Sequence, residues 1–173
     1  MDKKVADLLK DQVNKEFFSA YLYLAFSNYY YQENLDGFGH WFDVQFREEL
    51  DHALKILKYL QDNDEKVTLE AIAAPNVSFK NTREPLEAAL KHEKYVTDLI
   101  HAIYGQAREV HDYRCCQFLD WFIAEQGEEE KNTSDLLAKY DLLEGDRKGL
   151  YLLNAELKTR PLATAPDATG ADA

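Results

Sequence analysis

Residues 47–57 read REELDHALKIL, with the apolar spacing of an amphipathic helix. Stepping back from Ile56 by four and then three residues, the inward stripe passes through His52 and Glu49. A helix that turns a carboxylate and an imidazole toward its own core carries buried charge, and that charge needs a partner.

Outward from this stretch the chain reads as helices. The first runs from about Asp2 to Tyr31 and is broken by Glu33, Asn34, Leu35, Asp36 and Gly37. Asp36 is a suitable cap for the second, which reaches about Asn63. Periodicity then fails from Asp64 to Asn81, where Ala74, Pro75 and Asn76 mark irregular structure. Fully extended, this connection spans up to roughly 60 Å, more than the length of a ~28-residue helix. A third helix starts with Thr82 as its cap and Pro85 in its first turn and runs to about Val110; a fourth spans Tyr113 to Leu142. Gly145 closes it, and Arg147 to Lys158 form a short helix bearing Leu150, Leu152, Leu153 and Leu157, an apolar face expected to have no core left to join and so to be buried between subunits. The expected fold is all-α: a four-helix bundle with one long crossover and a short C-terminal fifth helix. Residues 1–160 make one domain, and the tail from residue 161 to 173, PLATAPDATGADA, reads as flexible.

Composition agrees with that architecture and narrows the function. A chain of 173 residues suits one domain, and 7 Gly with 4 Pro leave little to interrupt long helices. The net charge of −12 excludes an electrostatic footprint for nucleic acid or an anionic membrane. No apolar run approaches the ~20 residues that span a bilayer, and MDKKVADLLKDQ has no signal-peptide character, so a cytoplasmic location is expected. Cys115 and Cys116 are adjacent, which fits neither a zinc spacing nor a disulfide framework; they are expected to be reduced helix residues.

Every long helix repeats the anomaly of the second. The inward stripes read Leu9, Val13, Glu16, Ala20, Tyr23 in helix one and Phe38, Phe42, Gln45, Glu49, His52, Ile56, Tyr59 in helix two. Helix three gives Leu86, Leu90, Glu93, Thr97, Ile100, Tyr104, and helix four gives Phe118, Phe122, Glu125, Glu129. One glutamate on a stripe ordinarily sits just off the core and reaches solvent. Four of them, each within about one turn of its helix midpoint, fall in a single layer whichever way the helices run. His52, three residues from Glu49, shares that layer. No Lys or Arg lies on the stripes nearby. Bound cations would supply the missing charge, and carboxylates with one imidazole suit a pair of first-row transition metal ions.

This arrangement resembles the ferritin family, most closely its non-haem prokaryotic branch. The resemblance spans nearly the whole chain: NKEFFSAYLYL in helix one, REELDH in helix two, HE in helix three, AEQGEEE in helix four and GLYLLNAEL in the fifth. The general di-iron bundle has Glu-x-x-His on two helices; here helix four carries Gln126-x-x-Glu129 instead, the ferritin pattern. The resemblance implies one iron site from Glu16, Glu49 and His52 and a second from Glu49, Glu93 and Glu129 with Gln126 nearby, Glu49 bridging. It implies a third site at Glu48, Glu125, Glu128 and Glu129. Tyr23 matches a tyrosine beside the centre, and Trp121 an aromatic close to it. Haem bound through a methionine of the second helix is ruled out, because Met1 is the only methionine. His40, His92, His101 and His111 have no partner at ligand spacing and are expected to be surface or structural residues. Animal ferritins carry acids near the start of helix four that line an iron channel; residues 115–119 here offer none, leaving Glu109, Asp112 and Asp120 as the nearby carboxylates.

The activity so implied is ferroxidation: Fe(II) bound at the dinuclear site, oxidised by O2 or H2O2, and deposited as ferric mineral inside a 24-subunit shell of identical chains. Two readings compete with it. A di-iron oxidase or peroxidase without storage would form a small oligomer, and a helical interaction module with protonated core glutamates would take up no metal.

Overall fold

The computed structural model describes residues 1–162 and contains five helices in that range: α1 (Lys3–Gln32), α2 (Asp36–Asp62), α3 (Glu84–Glu109), α4 (Tyr113–Leu142) and α5 (Arg147–Leu157). The expected flexible tail lies almost entirely outside the described residues. Short turns join α1 to α2 and α3 to α4, so each pair packs as a hairpin, and residues 63–83 cross from one hairpin to the other. The crossover is pinned by Phe79, whose ring meets Phe26 and Tyr29 edge-on at 5.2 and 5.1 Å. Glu65 accepts from Lys10 Nζ at 2.6 Å.

Helix ends follow local chemistry. Left-handed residues terminate each long helix: Asn34, Asp64, His111 and Gly145, with φ of 59°, 60°, 60° and 81°. After the first three, a backbone N–H reaches back to a carbonyl of the last turn, as Leu35 does to Tyr30 at 2.9 Å. Asp2, Asp112 and Asp146 cap α1, α4 and α5 through their carboxylates.

Two expected caps are wrong. Asp36 is the first residue of α2 and caps nothing; the side chain of Asn154, from α5, accepts from the Gly37 and Phe38 N–H groups at 2.8 and 3.3 Å. Gly37 permits this contact, since a Cβ there would lie 1.7 Å from the Asn154 carbonyl oxygen. Thr82 bonds the Tyr140 hydroxyl at 2.6 Å, and Asn81 Oδ1 accepts instead from the N–H groups of Arg83 and Glu84.

The core divides into two apolar blocks. One contains Leu9, Val13, Ile56, Ile100, Leu119 and Phe122. The other is aromatic, with Tyr23, Phe26, Phe38 and Phe42 among its members and Tyr30 stacked on Phe38 and Phe42 at 5.2 and 5.6 Å. The predicted stripes of α1 and α2 are buried as expected apart from a half-buried Tyr59. Those of α3 and α4 are offset by one residue in places. Ala89, Val96 and Ile103 are buried where Leu90, Thr97 and Tyr104 were expected, as are Leu119 and Gln126 in place of Phe118 and Glu125. α3 and α4 bury narrower faces than α1 and α2, and a strict heptad stripe drifts about 20° per heptad against the true helical period, so it runs off the edge of those faces. The fifth helix also differs from expectation. Its apolar face does find core to join: Leu153 and Leu157 enter the aromatic block, leaving Tyr151 and Leu152 exposed.

Candidate metal centre

Between the two apolar blocks lies a polar layer. Glu16, Glu49, His52, Glu93, Gln126 and Glu129 are all buried, from all four long helices. Each sits on its helix where the i, i+3, i+4 spacing continues the apolar stripe, so packing of the residues above and below carries the carboxylates inward. Glu16, Glu49 and His52 each offer one ligand atom, and these atoms lie within 4.8 Å of one another. His52 turns Nδ1 to Glu49 Oε2 at 3.7 Å and Nε2 to Glu125 Oε1 at 3.9 Å.

The remaining residues of the layer are held by neutral donors. Tyr23 donates its hydroxyl to Glu93 Oε1, and Gln126 Nε2 lies 3.3 Å from both Glu93 Oε2 and the Glu93 carbonyl. Gln45 Nε2 donates to Glu129 Oε2 at 2.7 Å, and Gln12 Nε2 donates to Glu16 Oε1 at 2.8 Å. Two carboxylate oxygens, Glu16 Oε2 and Glu49 Oε2, are buried with no hydrogen-bond partner. Buried acceptors without donors are costly, and both belong to the cluster with ligand spacing.

Electrostatics follow from burial. Desolvation, then repulsion from Glu49, holds the Glu16 carboxyl well above the usual carboxylate range; desolvation and Glu93 do the same to Glu49. Burial pushes Glu93 up to about 7, with the Tyr23 and Gln126 bonds pulling the other way. Burial and the charge of Glu93 push Glu129 up to about 8. The layer therefore holds protons at neutral pH unless a cation displaces them.

Of the residues expected at a third site, Glu129 lies in the layer itself, Glu48 and Glu125 are half-buried at its edge, and Glu128 is exposed. Glu48 pairs with Arg160 at 2.7 Å, and Glu125 faces His52. Burial raises the Glu48 carboxyl against the pull of Arg160, with Glu125 adding to the rise; burial, then Glu93 and Glu48, raise Glu129. The four do not form a cluster at ligand spacing among the described residues. Trp121 meets the His52 ring edge-on at 5.4 Å and carries Lys55 Nζ 3.3 Å above its own ring.

The other histidines are structural or exposed. His40 donates Nε2 to the Arg160 carbonyl at 2.8 Å, His92 shares a 2.8 Å bond with Ser19 Oγ, and burial pushes His92 down to about 4. His101 and His111 are exposed. Cys115 and Cys116 are free and buried in α4. Asp112 and Asp120 are engaged with the Cys115 N–H and the Tyr104 hydroxyl. Two members of the site are absent from the sequence reading. Gln12 had a signal, one turn before Glu16 on its own stripe; Arg160 had none, because its partner Glu48 is 112 residues away.

Comparison with known proteins agrees with this geometry. The family model for the ferritin-like domain matches residues 6–143. A probable bacterial non-heme ferritin-like protein of Haemophilus influenzae is 36% identical over 157 residues, covering 91% of this chain and 95% of that one. The bacterial non-heme ferritin of Campylobacter jejuni is 34% identical over 163 residues, covering 94% and 98%. Among solved structures, a closed form of the Archaeoglobus fulgidus ferritin engineered by mutagenesis matches with a TM-score of 0.92 at 34% identity, over 94% of this chain and 99% of that one. The open-pore ferritin of the same hyperthermophilic archaeon matches at 0.91 and 34%, over 93% and 99%. A five-helix bundle, a buried carboxylate layer at its centre and these likenesses along nearly the full length place the chain in the ferritin family.

Proposed function

We propose that this protein stores iron, and that the layer between its two apolar blocks is a ferroxidase centre. The observation that carries the reading is the pair of unpartnered oxygens, Glu16 Oε2 and Glu49 Oε2, buried among carboxylates whose neighbours are amides and a phenol. Such a set fits divalent iron: hard oxygen donors, one imidazole, and no cation inside the layer to compete. Glu16, Glu49 and His52 would hold one ferrous ion, and Glu49, Glu93 and Glu129 the other, with Gln126 beside it. Tyr23, Gln12 and Gln45 each donate to one oxygen of Glu93, Glu16 and Glu129 respectively, and would so orient these carboxylates for a metal. Glu48, Glu125, Glu128 and Glu129 would bind iron beyond the pair.

In this reading each pair of ferrous ions gives up two electrons, reducing O2 to peroxide or H2O2 to water, and the ferric products leave for a mineral store. One bundle encloses no such volume, so the store requires an oligomer. A shell of 24 copies is the assembly we propose, with Tyr151 and Leu152 of α5 as apolar surface available to a neighbouring subunit. Among the described residues no helix is long and apolar enough to cross a membrane, and a cytoplasmic location fits the proposed role.

The test joins particle size to aerobic Fe(II) titration. A large particle that oxidises Fe(II) and keeps the ferric product in solution is expected. A particle near monomer size that precipitates iron would sink the storage reading. A small oligomer that consumes oxidant without retaining iron would favour an oxidase, and absence of metal uptake would favour a protonated, non-catalytic core.

A further inference from the structure

The chain's last described turn reaches the metal layer from outside. Beyond α5, Arg160 lies over Trp41, Gln45 and Glu48, which step along one face of α2 by four and three residues toward His52. Its guanidinium donates to Glu48 Oε2 at 2.7 Å, to Gln45 Oε1 at 2.5 Å and to the Trp41 carbonyl at 3.3 Å, and it stacks 4.8 Å from the Trp41 ring. The Arg160 carbonyl in turn accepts from His40 Nε2 at 2.8 Å. The side chains of Arg160 and Glu48 keep 20% and 18% exposure, which shelters the pair from solvent screening. Among the described residues it is the one ion pair between a Lys or Arg and any carboxylate in or beside the layer.

The consequences differ for the two parts of the centre. A guanidinium stays charged at every accessible pH, so Glu48 keeps a fixed cation beside it that, unlike a proton, a metal does not displace by acid–base exchange. A metal ion that took Glu48 as a ligand would meet a fixed positive charge at hydrogen-bond distance. At Gln45 the effect is the opposite. Arg160 occupies the amide oxygen, which turns Nε2 toward Glu129 and keeps that carboxylate in place.

We propose that Arg160 is a resident counter-cation at the edge of the centre. It competes with metal for Glu48, so that a third ion binds only when the segment after α5 releases α2, while the dinuclear pair fills with that segment in place. The proposal rests on the layer being an iron site, and the experiment separates the two ideas.

Binding of Zn(II), which is redox-inert, is measured on the full-length protein and on Arg160→Ala, Arg160→Lys and Arg160→Ala/Glu48→Gln. The wild-type chain is expected to bind two ions tightly in the layer and a third weakly. Arg160→Ala should tighten the third by about tenfold or more, as expected from removing a unit charge beside a dication. Lysine keeps the charge but lacks the fork that holds Glu48, Gln45 and the Trp41 carbonyl together, so Arg160→Lys should fall between the two. The double variant should lose the gain. Amide hydrogen exchange in residues 147–160 should rise when wild type is saturated with Zn(II). A third affinity equal or weaker in Arg160→Ala, with the first two ions still bound, overturns the role of Arg160 and leaves the iron reading standing. Failure of wild type to bind any ion in the layer overturns the iron reading, and this proposal with it.

Discussion

The metal-free protein should lose stability as pH rises through neutrality, the reverse of what salt-bridged carboxylates do. Glu93 and Glu129 are pushed up to about 7 and about 8, mainly by burial. A carboxyl raised in the folded state binds more protons there than in the unfolded chain. Its stabilisation is complete below the unfolded value near 4.5 and is lost as pH climbs through the folded one. Between pH ~6.5 and ~8.5 this removes roughly 1 kcal/mol at Glu93 and roughly 2 kcal/mol at Glu129. Glu16 and Glu49, raised well above the usual carboxylate range by desolvation and then by Glu49 and Glu93 respectively, act in the same sense. His92, pushed down to about 4, works in the opposite sense, but its gain is nearly complete by the start of that window, leaving a few tenths of a kcal/mol at most. A loss of roughly 3 kcal/mol corresponds to roughly 6 to 12 °C for a domain of this size. The assay is thermal unfolding of chelator-treated protein at fixed concentration across the window, with and without Zn(II), for wild type and Glu129→Gln. Zn(II) should abolish the decline, and Glu129→Gln should shrink it by roughly 2 kcal/mol. A metal-free midpoint that is flat or rises with pH, or a slope unchanged in Glu129→Gln, would refute the reasoning.

Four further outcomes follow from particular residues. Tyr23→Phe deletes the donor to Glu93 while keeping the ring; Zn(II) binding at pH ~7 should weaken about tenfold with the melting profile little changed, and unaltered affinity would remove Tyr23 from the site. Asn154→Ala should cost about 1 kcal/mol by uncapping α2, measured by denaturant unfolding. Gly37→Ala, whose Cβ would collide with the Asn154 backbone, should cost more and detach α5, visible as faster hydrogen exchange at Leu153; a neutral result would show that α5 does not dock where described. Glu49→Ala should slow rapid Fe(II) oxidation by orders of magnitude with the assembly intact by size, since it removes the carboxylate proposed to bridge the pair.

Helix-level architecture was readable because each segment carries its own periodicity and ends at its own turn. The residues 33–37 break, the crossover and Gly145 all stand where the sequence suggests. Glu16, Glu49 and His52 were readable because α1 and α2 bury broad faces, within which nearly the whole of a regular stripe falls. On α3 and α4 the large residues Tyr104 and Phe118 drew the stripe a position away from its true centre, while Glu93 and Glu129 survived because they lie on both versions of it. Contacts between distant parts of the chain left no local trace. Asn154 caps α2 across 117 residues and Arg160 meets Glu48 across 112, and neither pair has a spacing that a one-dimensional pattern could carry. Asp36 and Thr82 look like caps in isolation; Asn154 caps α2 from across the fold, and Thr82 turns to Tyr140 while its neighbour Asn81 caps α3.

The most direct test of the central claim is diffraction at the iron edge from crystals loaded anaerobically with Fe(II). The account predicts two anomalous peaks within the bundle, one between Glu16, Glu49 and His52 and the other between Glu49, Glu93 and Glu129. A layer without iron, in crystals whose iron sits only on the surface, would contradict it.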